Sequence, residues 1–231
     1  MRLLLKSFVF SIFYLKVGVK NYIPLLVYLI ISQFIIIYTE NIIISILLHL
    51  IYLILSSPIS INIFRCILLS NQLIDNYIYF INQSFTSIYI KKILHLLLVM
   101  VGIYLIHIII LFPFFQKDFS KSLIFLYILL IYLLYIYTRL VFILPEAAIG
   151  NEKKIKDSYI LTQGKSLKIY FLYISIIIPY FLINIVFFEI ITKYGFDKIF
   201  LIFLVLLQLF FTIINSAIIA YIYQGLKKIT A

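Results

Sequence analysis

Six long apolar runs fill most of this chain, and they constrain its fold more than any other feature of the sequence. They lie near residues 22–39, 42–66, 93–115, 121–144, 167–188 and 199–223. A helix rises about 1.5 Å per residue, so each run can cross most or all of a hydrocarbon layer about 30 Å thick. Lipid offers no hydrogen bonds to an exposed backbone, which favours helices in these runs. We therefore predict an all-α, polytopic membrane protein with six transmembrane helices.

The composition excludes a soluble globular protein. Hydrophobic residues make up 65% of the chain, charged residues only 12%, and the mean hydropathy is +1.20. Such a chain has too little polar surface to cover a water-soluble core. Its single cysteine, Cys66, excludes an internal disulfide and a cysteine-rich metal site. We expect one integral membrane domain over residues 1–231.

Short polar links join the apolar runs in pairs, at residues 40–41, 115–119 and 192–198. Links this short place consecutive helices side by side and antiparallel, which predicts three helical hairpins. A polar-aromatic segment precedes each hairpin, as in a threefold repeat. The alternative is that a composition rich in Ile, Phe, Tyr, Asn and Lys makes unrelated membrane segments look alike.

Two segments outside the runs are predicted to be amphipathic helices that lie on the membrane surface. In residues 1–20, four basic side chains form a narrow stripe on an apolar helix: Arg2, Lys6, Lys16 and Lys20. The alternative for this segment is an uncleaved anchor or signal. In residues 71–86, polar and apolar side chains fall on separate helical faces.

Basic residues crowd one side of the predicted topology. Fifteen of the 19 lie on the side that holds the N-terminus, the 69–92 loop, the 139–168 stretch and the C-terminus, and four lie on the other. The positive-inside rule therefore predicts that both termini are cytoplasmic. A basic inner face attracts anionic lipid headgroups. Nucleic-acid binding explains these charges less well, since they lie beside the spans.

The stretch from Arg139 to Lys168 is the densest group of charges in the chain. Six of its cations are candidate contacts for anionic lipid: Arg139, Lys153, Lys154, Lys156, Lys165 and Lys168. Arg139 lies within the predicted span and is costly to leave without a partner. It can either extend to lipid phosphates or pair with Glu146 after Pro145 turns the chain.

Interrupted helices suggest a transport path as an alternative function. Pro58 and Pro179 break two apolar runs, with Asn62 and Asn184 nearby. Broken helices at matching depth often flank the substrate site of a transporter. The competing interpretation is an ordinary proline kink whose freed carbonyl is bonded by a nearby hydroxyl. Asn62, like Gln208 and Asn215, is otherwise predicted to form hydrogen bonds between helices.

Two histidines at similar predicted depth suggest a third function. His49 and His107 could ligate a haem or pass a proton between neighbouring helices. The sequence offers no third ligand, so we predict no cofactor, and a histidine bonded to a neighbouring helix explains both positions. No sequence motif for hydrolysis, phosphate binding or metal catalysis is present, and we predict that the protein is not an enzyme.

The same charged stretch resembles the signature region of bacterial YciC-type membrane proteins, relatives of the membrane domain attached to some glycerophosphodiester phosphodiesterases. The likeness is carried by Arg139, Pro145-Glu146, Asp157-Ser158-Tyr159, Thr162 and Gly164-Lys165. The resemblance implies a six-helix bacterial inner-membrane protein without known catalytic activity. Its expected role is envelope organisation or scaffolding of an unidentified membrane protein partner, with anionic-lipid contacts.

Overall fold

The computed structural model describes residues 2–39, 41–70, 73–74, 76–115, 119–194 and 198–230, and the secondary structure in these residues is helical with no strand. The prediction of an all-α fold is confirmed. Ten helices are described: α1 Arg2–Val17, α2 Val19–Thr39, α3 Ile42–Leu69, α4 Tyr77–Ile81, α5 Ser84–Phe115, α6 Phe119–Leu140, α7 Ile143–Ala148, α8 Ile155–Leu161, α9 Ser166–Tyr194 and α10 Lys198–Thr230.

Five helical stretches of the described chain are long and apolar enough to cross a membrane. They are Val19–Ile36, Ile42–Leu69, Ser84–Ile109, Ile128–Ala148 and Ile202–Lys227. A sixth, Ser166–Tyr180, is apolar but shorter in its described part. These lengths and compositions support a multi-pass membrane protein, because about 20 apolar residues span the hydrocarbon layer.

Five of the helices form a closed ring. Contacts run from α3 to α5, then to α6, α9 and α10, and from α10 back to α3. Outside this ring, α2 packs on α3 and α10, and α1 packs on α10. The short helix α7 contacts α3, α5 and α10, so it closes one end of the ring, which we name the α7 end.

The predicted run 121–144 is not one helix. Helix α6 ends at Leu140, and the chain turns at Val141 and Phe142 before α7 begins. Pro145 explains the break, because it lacks an N–H and its ring collides with the carbonyl four residues earlier in a continuous helix. All six residues of α7 are buried. The turn therefore places a short helix, and its single acidic side chain, inside the α7 end of the bundle.

The N-terminal segment is helical as predicted, and it packs against α10. Its buried face consists of Ser7, Ser11 and Tyr14, while the four basic residues of the stripe are exposed. Small serine side chains allow two membrane helices to approach closely. The buried face of α1 is thus polar, which the predicted surface orientation did not anticipate.

Gly18 separates α1 from α2. A Cβ atom at this position would lie 3.0 Å from the Tyr14 carbonyl oxygen and 3.2 Å from its ring, so only glycine fits without a shift. Gly164 lies at a similar break, with a φ of +77° between α8 and α9, a conformation that glycine adopts without strain.

The predicted amphipathic helix at 71–86 is shorter than expected. Of the residues in this segment that the structure describes, 77–81 are helical before α5 begins at Ser84; Asn71, Gln72 and Asp75 lie outside the described residues. Tyr77 and Phe80 are buried, whereas Ile78 and Ile81 are exposed. Tyr77 donates a hydrogen bond of 2.7 Å to the carbonyl of Leu55, which fixes α4 against α3. Burial raises the pKa of the Tyr77 phenol to about 12, so it remains a donor at neutral pH.

Candidate functional site

A buried ionic cluster surrounds Glu146 in α7. The carboxylate is 3% exposed and forms ion pairs with Lys153 Nζ at 2.8 Å and Lys227 Nζ at 3.1 Å. Asn151 Nδ2 donates to it at 2.8 Å, and the Tyr223 hydroxyl also donates to it. Four donors therefore compensate the desolvation of one carboxylate.

This cluster ties together parts of the chain that are distant in sequence. Lys227 and Tyr223 belong to α10, whereas Asn151 and Lys153 belong to the segment after α7. Glu146 is the buried member of both ion pairs, so removing a lysine leaves a buried carboxylate with fewer partners, which is destabilising. We interpret the Glu146 cluster as the link that holds α7 in the end of the helical ring.

Arg139 has an internal role that differs from both sequence predictions. Its guanidinium lies 3.4 Å from the centre of the Tyr159 ring. It donates to the Tyr159 carbonyl at 3.1 Å and to Thr162 Oγ1 at 3.3 Å, and the residue is 8% exposed. The predicted pairing with Glu146 is wrong for this structure, and the alternative, extension to lipid phosphate, stays a prediction. The sequence could not show that α8 folds back over the end of α6.

Ser158 completes the contact between α6 and α8. Its hydroxyl lies 2.7 Å from the Arg139 carbonyl and 3.0 Å from the Leu140 carbonyl. These carbonyls belong to the last turn of α6, where no intrahelical donor is available. Ser158 and Arg139 therefore fix α8 to the end of α6.

Arg65 is likewise held by a backbone carbonyl and an aromatic ring. It donates to the Ala148 carbonyl at 3.2 Å, at the end of α7, and its guanidinium lies 4.3 Å from the centre of the Phe85 ring. A planar guanidinium that stacks on an aromatic ring and bonds a carbonyl is held by the protein itself. Both arginines at the α7 end therefore stabilise the fold.

The lysines of this stretch are arranged differently. Lys154, Lys156 and Lys168 are exposed, and Lys165 is half-buried. Among the described residues, the side chains of these four form no ion pair. With Lys153, which is 47% exposed although paired to Glu146, they form a cluster that we name the basic surface.

The basic surface is shaped by caps and glycines. Asp157 accepts a hydrogen bond of 2.9 Å from the Lys154 backbone N–H, which starts α8. Gly150, with a φ of +91°, and Gly164, with a φ of +77°, turn the chain on either side of α8. Within the basic surface, Lys156 lies in α8, Lys153 and Lys154 precede this helix, and Lys165 and Lys168 follow the second turn.

A cavity of about 420 Å³ lies within the helical ring, and we name it the central cavity. Eight hydroxyl- or amide-bearing residues line it: Tyr52, Ser56, Ser60, Tyr89, Tyr137, Thr212, Asn215 and Ser216. None of the described residues that line it is charged. Its volume falls within the range of about 300–1,000 Å³ that small-molecule pockets occupy.

Hydrogen bonds across the central cavity join α3 to α10. The Tyr52 hydroxyl bonds Thr212 Oγ1, and Ser216 Oγ lies 2.9 Å from Ser60 Oγ. Asn215 Oδ1 accepts a hydrogen bond of 2.5 Å from Tyr173 of α9. Hydrogen bonds between uncharged groups therefore join the helices here, whereas ion pairs join segments at the α7 end.

The prolines of the predicted transport path do not share one site. Pro58 lies outside the lining of the central cavity, and the carbonyl that it leaves free, that of Ile54, accepts a hydrogen bond of 2.5 Å from Ser57. This bond supports the kink interpretation. Pro179 lines a different, largely apolar cavity of about 690 Å³ between α1, α9 and α10.

The amides of that path have structural partners where they are described. Asn62 is 1% exposed and donates to the Tyr14 hydroxyl at 3.3 Å and to the Ile74 carbonyl at 3.0 Å. Its predicted role as a hydrogen-bond partner between helices is confirmed, as it is for Asn215. The side chain of Asn184 lies outside the described part of the structure.

The histidines are bonded within their own helices. His49 Nδ1 lies 2.7 Å from the Ser45 carbonyl oxygen, and His107 Nδ1 lies 2.7 Å from the Ile103 carbonyl oxygen. The His107 ring also contacts Tyr132, with 5.5 Å between ring centres. In the described chain no group of three or more His, Cys, Asp or Glu side chains could hold a metal ion. No observation in the structure favours the haem hypothesis.

Comparisons with known proteins add no relative. No protein-family model matches the chain, and searches of curated proteins and of solved structures found no match.

Sequence reasoning missed the central cavity, although a signal for it exists. Tyr52, Ser56 and Ser60 recur every four residues along α3, and Thr212 and Ser216 do so along α10. This spacing places each set on one face of its helix. Two hydroxyl-bearing faces in apolar helices predict a shared polar interior, provided that the two helices are known to be neighbours.

Proposed function

We propose that this protein is a non-catalytic integral membrane protein whose basic surface binds anionic lipid headgroups. The observation that carries the proposal is that the arginines and the lysines of this region have different partners. Arg65 and Arg139 are held by protein contacts, whereas Lys154, Lys156 and Lys168 are exposed without an ion pair among the described residues. Each lysine near an anionic surface contributes about 1 kcal/mol of attraction.

The proposal includes six spans arranged as three hairpins. Contacts between α2 and α3, α5 and α6, and α9 and α10 support pairing of consecutive long helices. The excess of basic residues on one side supports cytoplasmic termini and a bacterial inner-membrane location. The resemblance of the 139–168 stretch to YciC-type proteins agrees with a role in envelope organisation or partner scaffolding. Nucleic acid is not among the proposed partners.

Lipid binding is tested in nanodiscs that contain either phosphatidylglycerol or only phosphatidylcholine. We expect native mass spectrometry to find phosphatidylglycerol enriched on the purified protein. The triple variant Lys154→Gln, Lys156→Gln, Lys168→Gln is expected to lose about 2–3 kcal/mol of that preference at low salt. Equal lipid binding by the triple variant and the parent protein would contradict the proposal.

An exposed acidic residue supplies the matched control. Glu152 lies in the same segment, and its change to Gln raises the local charge where the lysine changes lower it. We expect Glu152→Gln to bind phosphatidylglycerol slightly more strongly than the parent. Both effects shrink as salt concentration rises, because exposed charges are screened.

A transporter or permease subunit is the second candidate. One observation favours it, namely that the hydroxyl-lined central cavity lies inside a ring of five helices. Pro58 and Asn62 do not line that cavity, which weakens the path predicted from the sequence. Flux of a labelled uncharged solute into proteoliposomes, blocked by Ser60→Leu, would favour transport over lipid binding alone.

A further inference from the structure

We propose that the central cavity binds an uncharged amphiphile that presents a carbonyl or hydroxyl oxygen to the α3 and α10 wall. This site is separate from the basic surface. The inference concerns binding in the cavity and does not require passage across the membrane.

Because no charged side chain lines the cavity in the described residues, we expect its ligand to be uncharged. No Asp, Glu, Lys, Arg or His occurs among the described residues that line it. An ion brought into such a site without a partner pays a desolvation cost of several kcal/mol. The same cavity accommodates a neutral group that forms hydrogen bonds.

The two walls of the cavity differ in polarity, which indicates an amphiphile. The α3 and α10 wall carries six of the polar residues: Tyr52, Ser56, Ser60, Thr212, Asn215 and Ser216. The α5 wall carries Ile93, Leu96, Leu97 and Met100, with Tyr89 as its polar member. A molecule with a hydrogen-bonding edge and a hydrocarbon face satisfies both walls at once.

Asn215 indicates which polar atom the ligand offers. Its Oδ1 accepts from Tyr173, and its Nδ2 donates to no described residue. An amide N–H that lines a cavity in a membrane needs an acceptor, because lipid chains provide none. A carbonyl or hydroxyl oxygen of the ligand supplies it. Membrane quinones and neutral glycerolipids share this chemistry, and competition between them distinguishes the two sources.

The natural absence of tryptophan provides a direct test. Leu97→Trp introduces a single tryptophan into the apolar wall of the cavity, and Leu98→Trp places one at the next residue, which is 67% exposed on the outside of the bundle. Menadione is titrated into nanodiscs as an uncharged quinone that quenches tryptophan fluorescence. We expect saturable quenching for Leu97→Trp and only a linear, partition-driven decrease for Leu98→Trp.

Dioctanoylglycerol then separates the two ligand sources. If it restores the fluorescence of Leu97→Trp, the site accepts glycerolipids as well as quinones. If it does not, the site is selective for the quinone, and both results support the proposal. Linear quenching of equal slope in both variants overturns it.

The polar wall is tested on the Leu97→Trp background. Asn215→Leu removes the free donor at similar volume and is expected to weaken menadione binding about three- to tenfold. Ser175→Val is the matched control, since Ser175 lines the apolar cavity instead. Unchanged affinity in Asn215→Leu overturns the assignment of the polar wall. The comparison of Leu97→Trp with Leu98→Trp leaves that wall intact, so it decides the proposal even if Asn215→Leu fails to fold.

Discussion

The Glu146 cluster and the central cavity solve the same problem in opposite ways. Both place polar groups inside a chain that is 65% hydrophobic. At the α7 end, one carboxylate is surrounded by two ammonium groups, an amide and a phenol. In the central cavity, hydroxyls bond one another in pairs and leave about 420 Å³ of space.

The difference shows what each kind of polar group can do in a membrane protein. A buried charge demands several partners and so draws several segments tightly together. A neutral hydroxyl is satisfied by one bond and tolerates open space beside it. The ionic region therefore fixes the fold, and the hydroxyl region is free to hold a ligand.

The largest expected effect is the loss of Glu146. Glu146→Ala leaves the buried Tyr223 hydroxyl without its acceptor and removes the counter-ion of Lys153 and Lys227, which are 47% and 44% exposed, and we expect the free energy of unfolding to fall by about 2–3 kcal/mol. Thermal unfolding in detergent measures the change. Glu152→Ala, at an exposed carboxylate in the same segment, should change stability by less than about 0.5 kcal/mol. If the two variants were equally stable, the Glu146 cluster would not fix the fold, and its contrast with the central cavity would fail.

Arg139→Lys tests geometry at constant charge. A lysine cannot stack flat on Tyr159 while bonding both the Tyr159 carbonyl and Thr162, so we expect a loss of about 2 kcal/mol. Lys156→Arg at an exposed position is the matched control and should be neutral. Lipid binding by Arg139→Lys should equal that of the parent, because the residue is buried. A selective loss of lipid binding would show instead that Arg139 contacts lipid headgroups, as one of the sequence predictions had it.

Tyr223→Phe removes one donor from the Glu146 cluster and leaves the other three. A hydrogen bond to a charged group contributes about 1.5–3 kcal/mol, and we expect a loss near the lower limit because both lysines remain. Tyr132→Phe, at a tyrosine that is 46% exposed, serves as the control. In the Glu146→Ala background, Tyr223→Phe should cost much less, and an undiminished cost would show that the two side chains act independently.

Thr212→Val is expected to have the smallest effect, about 0.6 kcal/mol, the average for a hydrogen bond between membrane helices. It removes the bond to Tyr52 and keeps the shape of the side chain. Thr39→Val is a close control, because both hydroxyls bond the carbonyl four residues earlier and Thr39 is exposed. A cost as large as that of Glu146→Ala would mean that the hydroxyl pairs also determine the fold.

Much of the fold follows from the sequence because apolar runs in a membrane have few alternatives to helix. The runs at 42–66 and 199–223 lie within α3 and α10, although α10 extends seven residues beyond the predicted end. The sequence predicted a turn at Pro145, whereas α6 already ends at Leu140. A hydropathy pattern does not register a turn in which every residue remains apolar and buried.

The candidate sites were less predictable, because they depend on contacts between distant segments. The sequence identified Arg139 as a charge that needs a partner and offered two alternatives, lipid phosphate or Glu146. The observed partners, Lys227 for Glu146 and Tyr159 for Arg139, are set by the return of α10 and α8 to the α7 end. The spacing of residues along the chain does not show that α8 and α10 fold back to the α7 end.

The packing of α1 against α10 has a consequence for folding during synthesis. A ribosome completes α1 long before α10 emerges, so the serine face of α1 has no permanent neighbour while the intervening helices are inserted. Lys227 likewise reaches Glu146 only when translation of α10 is nearly finished. We expect α1 to be protease-sensitive in nascent chains arrested before α10, and to become protected once α10 is released.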